Sequence, residues 1–241
     1  MRYAVLSDIH GNLEALGAVL ADVGQRADAI LCTGDVVGYG ADPVACLELV
    51  AERAGVVIAG NHEHAVAGRL DLEWFNSYAR AAAEWTHERL DADHLSYLAS
   101  LPLTAEVGDT TLVHASPERP DEWEYLISAE DGFAAFCAFT TRLCFVGHSH
   151  LPAAWSLGSS GPEYLPGVAE VKLVPGRRYI VNVGSVGQPR DRDARAAYAL
   201  WDAEHGRVGI RRVEYDVEAA RKKILAGGLP RLFADRLPRG A

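Results

Sequence analysis

The sequence predicts an α/β protein built around parallel strands, on three observations. A strand–loop–helix unit recurs from Tyr3 to Ala59, short polar clusters stand at the carboxyl ends of its strands, and hydrophobic periodicity switches between strand and helix along the way. With 241 residues, 49% of them apolar, and a mean hydropathy of −0.02, the chain can bury one large core.

The elements follow in order. Residues 3–7 (Tyr-Ala-Val-Leu-Ser) read as a buried strand ending at Asp8, and Asn12 to Leu20 carry helical spacing through Leu13, Leu16, Val19 and Leu20. Ala29 to Thr33 is a second strand, Gly34 to Asp42 a glycine-rich loop, Pro43 to Arg53 a helix with proline in its first turn, and Val56 to Ala59 a third strand. Such alternation implies parallel pairing with right-handed crossovers, and functional loops then collect beyond the carboxyl ends of the strands. Asp8, Asp35 and Asn61 occupy those ends and are expected to converge.

Residues 72–100 are helical by composition, clearest from Ala79 to Leu90, with Pro102 marking the exit. Thr110 to His114 and Leu143 to Val146 read as strands running into histidines. Gly158 to Gly167 reads as a turn or excursion. Glu170 to Val174, Arg178 to Val183, Ala197 to Asp202 and Val208 to Tyr215 read as four short strands of a second, partly antiparallel sheet. From Asp216 a helix runs to about Ala226, followed by a Gly-Gly-Leu-Pro break and a basic tail. The expected organisation is one domain over 1–241 with a C-terminal helical tail at 216–241.

A formal charge of −10 argues against a surface that grips nucleic-acid backbone nonspecifically. No run of about 18 apolar residues suggests a membrane span, and the N-terminus enters a strand pattern rather than a signal peptide, so a cytoplasmic protein is expected. Cys32, Cys46, Cys137 and Cys144 contain no CxxC pair and are expected to be reduced and structural.

The chemistry lies in five clusters: Asp8-Ile9-His10, Gly34-Asp35, Gly60-Asn61-His62-Glu63, Val113-His114 and Gly147-His148-Ser149-His150. Any one of them alone reads equally well as turn or strand-end chemistry. All five in order at strand ends offer ligands for two divalent ions: Asp8, His10, Asp35, Asn61, His114, His148 and His150. Mixed oxygen and imidazole ligation favours Mn, Fe, Co, Ni or Zn over an all-oxygen Mg or Ca cage. Two ions about 3.5–4 Å apart need a bridge, which the Asp35 carboxylate can give, and water between them becomes a hydroxide able to attack phosphorus in line. His148 and His150, spaced by two at a strand end, are expected to point to one side.

The series D-x-H, G-D, G-N-H-[DE], H and G-H-x-H resembles the calcineurin-like metallophosphoesterase superfamily. The longer phrases Ser7 to Asn12, Gly34 to Gly40 and Asn182 to Arg190 resemble a bacterial and archaeal phosphodiesterase-like branch of it, and the resemblance covers about residues 1–202. It implies the metallophosphoesterase fold: a four-layer α/β/β/α sandwich of two mixed β-sheets flanked by helices. It also implies that Asp8, His10, Asp35 and His150 hold one ion, that Asp35, Asn61, His114 and His148 hold the other, and that both ions are divalent. Mn2+ is the first expectation, with Fe, Ni, Co or Zn as alternatives. His62 matches the histidine that binds no metal but serves the phosphoryl group or its leaving oxygen as the catalytic residue.

Where the protein-phosphatase branch continues its second motif with an orienting Asp and a phosphate-clamping Arg, this chain has Gly38 and Tyr39. That speaks against phosphoprotein hydrolysis. Phosphate recognition must then come from elsewhere, with Asn12, Arg190 and Arg192 as candidates and a solvated loop role as the alternative for the arginines. Other signatures fail: Gly184-Ser185-Val186-Gly187 lacks the leading glycine of a nucleophile elbow, His62-Glu63-His64 has the wrong spacing for H-E-x-x-H, and no G-x-G-x-x-G occurs at Gly11 or Gly34. His64, His87, His94 and His205 lack partners at ligand spacing and read as surface or packing residues. The expected function is dimetal-dependent hydrolysis of a small phosphoester, foremost a nucleotide-type or other small phosphodiester. A phosphomonoesterase, a pyrophosphatase and a non-catalytic scaffold with a vestigial metal site are the alternatives.

Overall fold

The computed structural model describes residues 1–241. The first half of the chain alternates as expected: β1 (Arg2–Leu6), α1 (Leu13–Val23), β2 (Ala29–Cys32), α2 (Pro43–Arg53), β3 (Val56–Val57), α3 (Asn61–Val66), α4 (Ser77–His87) and α5 (Ala92–Ser100). Then come β4 (Thr104–Glu106), β5 (Thr110–Val113), α6 (Ala129–Ala135), β6 (Leu143–Val146), β7 (Ala153–Gly158), β8 (Gly161–Pro166), β9 (Glu170–Lys172), β10 (Arg178–Asn182), β11 (Ala196–Asp202) and β12 (Arg207–Val213). Two short helices, α7 (Val217–Ala226) and α8 (Arg231–Arg236), close the chain.

The strands form two six-stranded mixed sheets, ordered β3-β2-β1-β11-β12-β9 and β4-β5-β6-β10-β7-β8. Side-chain alternation explains how they stack. In β1, Val5 joins the layer between the sheets while Ala4 and Leu6 face α1 and α2. In β6, Leu143 and Phe145 face the same inner layer, and Cys144 and Val146 face outward to Phe136 and α6. The inner layer is capped by Trp201, stacked on Tyr3 at 4.7 Å. The expected four-layer arrangement is therefore present.

Three readings change. The four late strands do not make one sheet: β9, β11 and β12 extend the first sheet, and β10 inserts beside β6 in the second. Both central strands are apolar on each face, so period alone could not assign them to a sheet. Gly158 to Gly167 is the turn and return strand of a hairpin, β8 pairing antiparallel with β7; its Gly and Pro content hid an edge strand, the place where Pro is tolerated. The basic tail after Gly228 folds into α8, whose Phe233 and Ala234 are buried. Cys32, Cys46 and Cys144 are buried thiols, whereas Cys137 is exposed. No helix is long and apolar enough to cross a membrane.

Candidate metal centre

Parallel pairing of β3, β2 and β1 brings the loops bearing Asn61, Asp35 and Asp8 to one edge of the first sheet. In the second sheet β5 and β6 are also parallel, so His114 and the Gly147–His150 loop emerge side by side. The two edges are bonded across the seam: His148 N–H donates to Asp8 Oδ2 at 3.0 Å, which also accepts from Ser7 Oγ at 2.6 Å. Eight non-glycine residues have positive φ, and Asp8, His10, Asp35, His148 and His150 are five of them. Left-handed backbone costs such residues about 1 kcal/mol each, and its concentration here marks a site whose geometry the surrounding fold enforces.

That backbone also corrects the reading of His148 and His150. They follow the end of β6 in left-handed conformation, so strand alternation does not govern them. His148 meets His114, whereas His150 meets His10 and Asp8.

The histidine tautomers follow from their partners. His10 Nδ1 lies 3.1 Å from Val37 O, His114 Nδ1 2.8 Å from Thr33 O, and His150 Nδ1 2.6 Å from Gln188 O. A carbonyl only accepts, so each Nδ1 carries a proton, and Nε2 of each ring that is neutral presents a lone pair. Yet His10 Nε2 and His150 Nε2 stand 3.2 Å apart, and Asp8 Oδ1 stands 3.1 Å from the latter. Asp35 Oδ2 lies 3.6 Å from His10 Nε2 and 3.3 Å from His114 Nε2, between the two groups. His148 Nδ1 faces His114 Nε2 at 3.2 Å. Asp8 Oδ1 and Asn61 Oδ1 are buried without any hydrogen-bond partner.

Lone pairs this close repel unless a cation lies between them. Burial holds His10 and His150 below their ordinary value, with the Arg190 charge adding to it at His150, so protons do not fill the gap near neutral pH. Atoms bonded to one ion at about 2.1 Å stand roughly 3 Å apart, close to these separations. Asp8, His10 and His150 form one set of ligand atoms within 4.8 Å of one another, and Asp35, His114 and His148 form another. Asp35 also groups with His10 and His62. These residues fit a pair of divalent ions with Asp35 shared. At His114 burial works against charge, but Asp35 beside it lifts the imidazole to about 9, as expected of a carboxylate that has no cation to face.

Glu63, to which the sequence reading gave no role, anchors this geometry. Its buried carboxylate accepts four backbone N–H groups: Asp35 at 2.6 Å, Gly60 at 2.7 Å, Val36 at 2.8 Å and Val37 at 3.1 Å. It thereby ties the loop after β2 to the loop after β3. Burial, then the Asp35 charge, push Glu63 up to about 7 despite those donors. Its signal was the fourth residue of the third cluster. Gly60 is required beside it, because a Cβ there would stand 2.1 Å from Asp35 Oδ1. Gly147 is required likewise, with Ser7 Oγ 1.9 Å from a Cβ position.

His62 follows Asn61 into α3, and its N–H donates to Asp35 Oδ1 at 3.0 Å. Its ring is buried, 4.4 Å from Tyr39 and 5.0 Å from Phe75, and burial lowers it to about 4. Nδ1 has no partner and packs against Gly38, where a Cβ would come within 2.3 Å of it. Outside the centre opens a cleft of about 720 Å³ onto which Asn61, His62 and His148 face. Its walls are aromatic: Tyr39, Trp74, Phe75, Trp123 and Tyr125, with Tyr125 stacked on His148 at 4.1 Å. Apart from Tyr39, the sequence pattern did not single these out, since they come from three separate segments.

Of the remaining candidates, Asn12 is not brought to the cleft. Its Oδ1 caps α1 at Ala15 N–H, and its amide donates to Gly187 O at 2.8 Å. Arg190 is half-buried near Tyr39, its guanidinium 6.0 Å from the ring. Arg192 is exposed. His87 bonds Val66 O, His94 meets Asp91, His205 meets Asp202 and His64 packs near Trp123; none joins a ligand set.

The family model for calcineurin-like phosphoesterases matches residues 1–181. An uncharacterized protein of Methanocaldococcus jannaschii is 39% identical over 241 residues, spanning 97% of this chain and 96% of its own. The crystal structure of a metallophosphoesterase from Sphaerobacter thermophilus is 43% identical and superposes with a TM-score of 0.87, covering 100% of this chain and 99% of that one. A hypothetical protein from Pyrococcus horikoshii shares the fold at a TM-score of 0.77 and 22% identity, over 100% and 98% of the two chains. With a matching family model, full-length relatives and paired ligand sets at the seam of two sheets, this chain belongs to the calcineurin-like phosphoesterase family.

Proposed function

We propose that this phosphoesterase is a phosphodiesterase for a nucleotide-type or similarly aromatic small phosphodiester, with manganese as its working ion. The observation that carries the reading is the aromatic cleft opening directly from Asn61, His62 and His148. Flat apolar walls beside a phosphoryl site suit a planar substituent, since ring stacking adds about 1 kcal/mol beyond burial. Tyr39 reinforces it: where the protein-phosphatase branch has a clamping Arg, a phenol ring lies 4.4 Å from both His10 and His62. A diester carries one negative charge rather than two and asks less of such a clamp.

In this reading Asp8, His10, Asp35 and His150 hold one ion, and Asp35, Asn61, His114 and His148 the other. Bound there, the ions neutralise phosphoryl charge and acidify water toward neutral pH. Val37, Thr33 and Gln188 carbonyls fix the ligand tautomers, and Glu63 fixes the Asp35 loop. His62, neutral at pH 7 and walled by Gly38 at Nδ1, directs Nε2–H to the phosphoryl group or its leaving oxygen. Free thiols at Cys32, Cys46, Cys137 and Cys144 suit the reducing cytoplasm.

The test pairs metal analysis with turnover of bis-p-nitrophenyl phosphate and p-nitrophenyl phosphate in manganese. Two ions per chain and a preference for the diester are expected. A reversed preference would favour the monoesterase reading, and a loaded protein inert to both substrates and to a nucleotide panel would favour the scaffold.

A further inference from the structure

Half-buried arginines in this acidic chain are almost all committed. Arg80, Arg142 and Arg178 donate to backbone carbonyls, and Arg177, Arg211, Arg212 and Arg221 pair with carboxylates. Two differ. Arg190 reaches only the Gln188 Oε1 amide at 3.2 Å and leaves its Nε buried without a partner. Arg236, in α8, has no carboxylate or hydrogen-bond partner at all, and burial and the neighbouring Arg190 charge both weigh against its own charge.

Arg190 itself and Phe233, one helical turn before Arg236, pack at one ring. Tyr39, left-handed at φ 60°, stacks on Phe233 of α8 at 4.5 Å and lies 4.4 Å from His10 and His62. Arg190 Cζ lies 6.0 Å from the centre of that ring, and its backbone N–H donates to His150 O at 3.4 Å. The C-terminal arm is held there by the buried packing of Phe233, Ala234 and Leu237 and by Lys223, which bonds Asp42 at 2.9 Å. Two half-buried guanidinium groups with no counter-ion from the chain are unfavourable unless a ligand supplies the negative charge. Paired guanidinium forks match a tetrahedral oxyanion better than a lone carboxylate, because several oxygens can each accept two donors.

We propose that Arg190 and Arg236 form an anion subsite beside the metal centre that takes a second phosphoryl group of the substrate. The C-terminal arm then sets specificity: the centre engages one phosphoester while the arginines hold another phosphate along the same molecule. The substrate half of this inference rests on the phosphodiesterase reading; the anion site itself does not.

The site is read first on protein stripped of metal by a chelator, so that added phosphate has no ions to bind. Calorimetric titration with inorganic phosphate should give one saturable site in the wild type, weakened about tenfold in Arg236→Gln and in Arg190→Gln, and less in Arg236→Lys. Without phosphate, Arg236→Gln should melt no lower than wild type, because a half-buried charge without a counter-ion is removed. Phosphate should raise the melting temperature of the wild type more than that of the variant. Absence of saturable binding to the wild type, or unchanged affinity in both Gln variants, overturns the subsite. So does a variant that melts lower yet keeps its phosphate affinity, since that marks a packing role.

The substrate half is read on the manganese-loaded enzyme with thymidine 5′-(p-nitrophenyl phosphate) with and without a 3′-phosphate. The wild type should show a KM about tenfold lower for the 3′-phosphorylated diester, an advantage lost in Arg236→Gln. Equal KM values in the wild type would overturn it. Turnover of bis-p-nitrophenyl phosphate, which carries no second phosphate, reads the phosphodiesterase proposal separately, so either can fail alone.

Discussion

The two sheets contribute different chemistry to one seam. The sheet led by β1, β2 and β3 supplies both carboxylates, Asp8 and Asp35, together with His10, Asn61 and His62, and it holds the Glu63 anchor. The sheet led by β5 and β6 supplies imidazoles only: His114, His148 and His150. Negative charge is thus buried on one side and imidazole rings face it from the other. Each sheet alone would leave its half unsatisfied, and a cation at the seam satisfies both. The lesson is that metal binding and sheet packing are one equilibrium: what loads the site should also join the layers.

The largest effect expected from this contrast is at Asp35, whose Oδ2 stands between His10 and His114. Asp35→Asn should lower the rate by about a thousandfold and reduce the bound metal of both ligand sets, whereas His148→Ala should lose one ion and keep the other. Metal counted by atomic absorption beside the rate decides it. Near-normal activity in Asp35→Asn would break the shared-carboxylate arrangement.

Next comes His62, which lies on the carboxylate side and in the proposed function serves the substrate rather than an ion. His62→Ala should keep its full complement of ions and lose about a hundredfold in kcat, most with poor leaving groups. If metal disappears with the side chain, the nearness of His62 to His10 and Asp35 reflects ligation instead.

Glu63 sharpens the contrast through stability rather than rate. Glu63→Gln replaces one acceptor oxygen by an NH2 that must face backbone N–H donors, so two buried donors lose their partner and about 3 kcal/mol of stability should go. The pH dependence has a definite sign in metal-free protein. A carboxyl lifted to about 7 in the fold from 4.5 binds more protons folded than unfolded between those values. Its contribution therefore falls as pH rises through that window. Between pH 5 and pH 7 the change in stability from urea melts should be less favourable in the wild type than in Glu63→Gln, because the buried histidines contribute alike to both and only Glu63 differs.

How much of this was legible beforehand differs along the same line. The α/β alternation through β3 and the convergence of Asp8, Asp35 and Asn61 follow from periodicity, because parallel strands put their loops at one edge. The destination of β9 to β12 was not legible, since nearest-neighbour pairing is a weaker rule than it looks once a strand such as β10 can insert beside β6. At the site, ligand types were visible at strand ends, but the separation of His148 from His150 depends on left-handed backbone that no spacing encodes. The aromatic cleft was invisible because Tyr39, Phe75 and the Trp123–Tyr125 segment are distant in sequence and share no period.

Asn12 gives the smallest effect and tests that boundary directly. The motif context made it a candidate for phosphate, yet its amide serves two structural partners, the α1 N-terminus and Gly187 O, and the second of these spans from the first motif to the Gly184–Pro189 loop. Asn12→Ala should cost about 1 kcal/mol through the lost cap. Asn12→Asp, which keeps the capping oxygen but turns the donor toward Gly187 O into an acceptor, should cost more, the reverse of ordinary capping preference. KM for bis-p-nitrophenyl phosphate should stay within about twofold in the alanine variant, because a residue that only holds the fold changes the amount of native enzyme rather than its affinity. A tenfold rise in KM with unchanged melting would instead return Asn12 to the substrate, and would mean that the edge of the first sheet reaches further into phosphate recognition than its hydrogen bonds reveal.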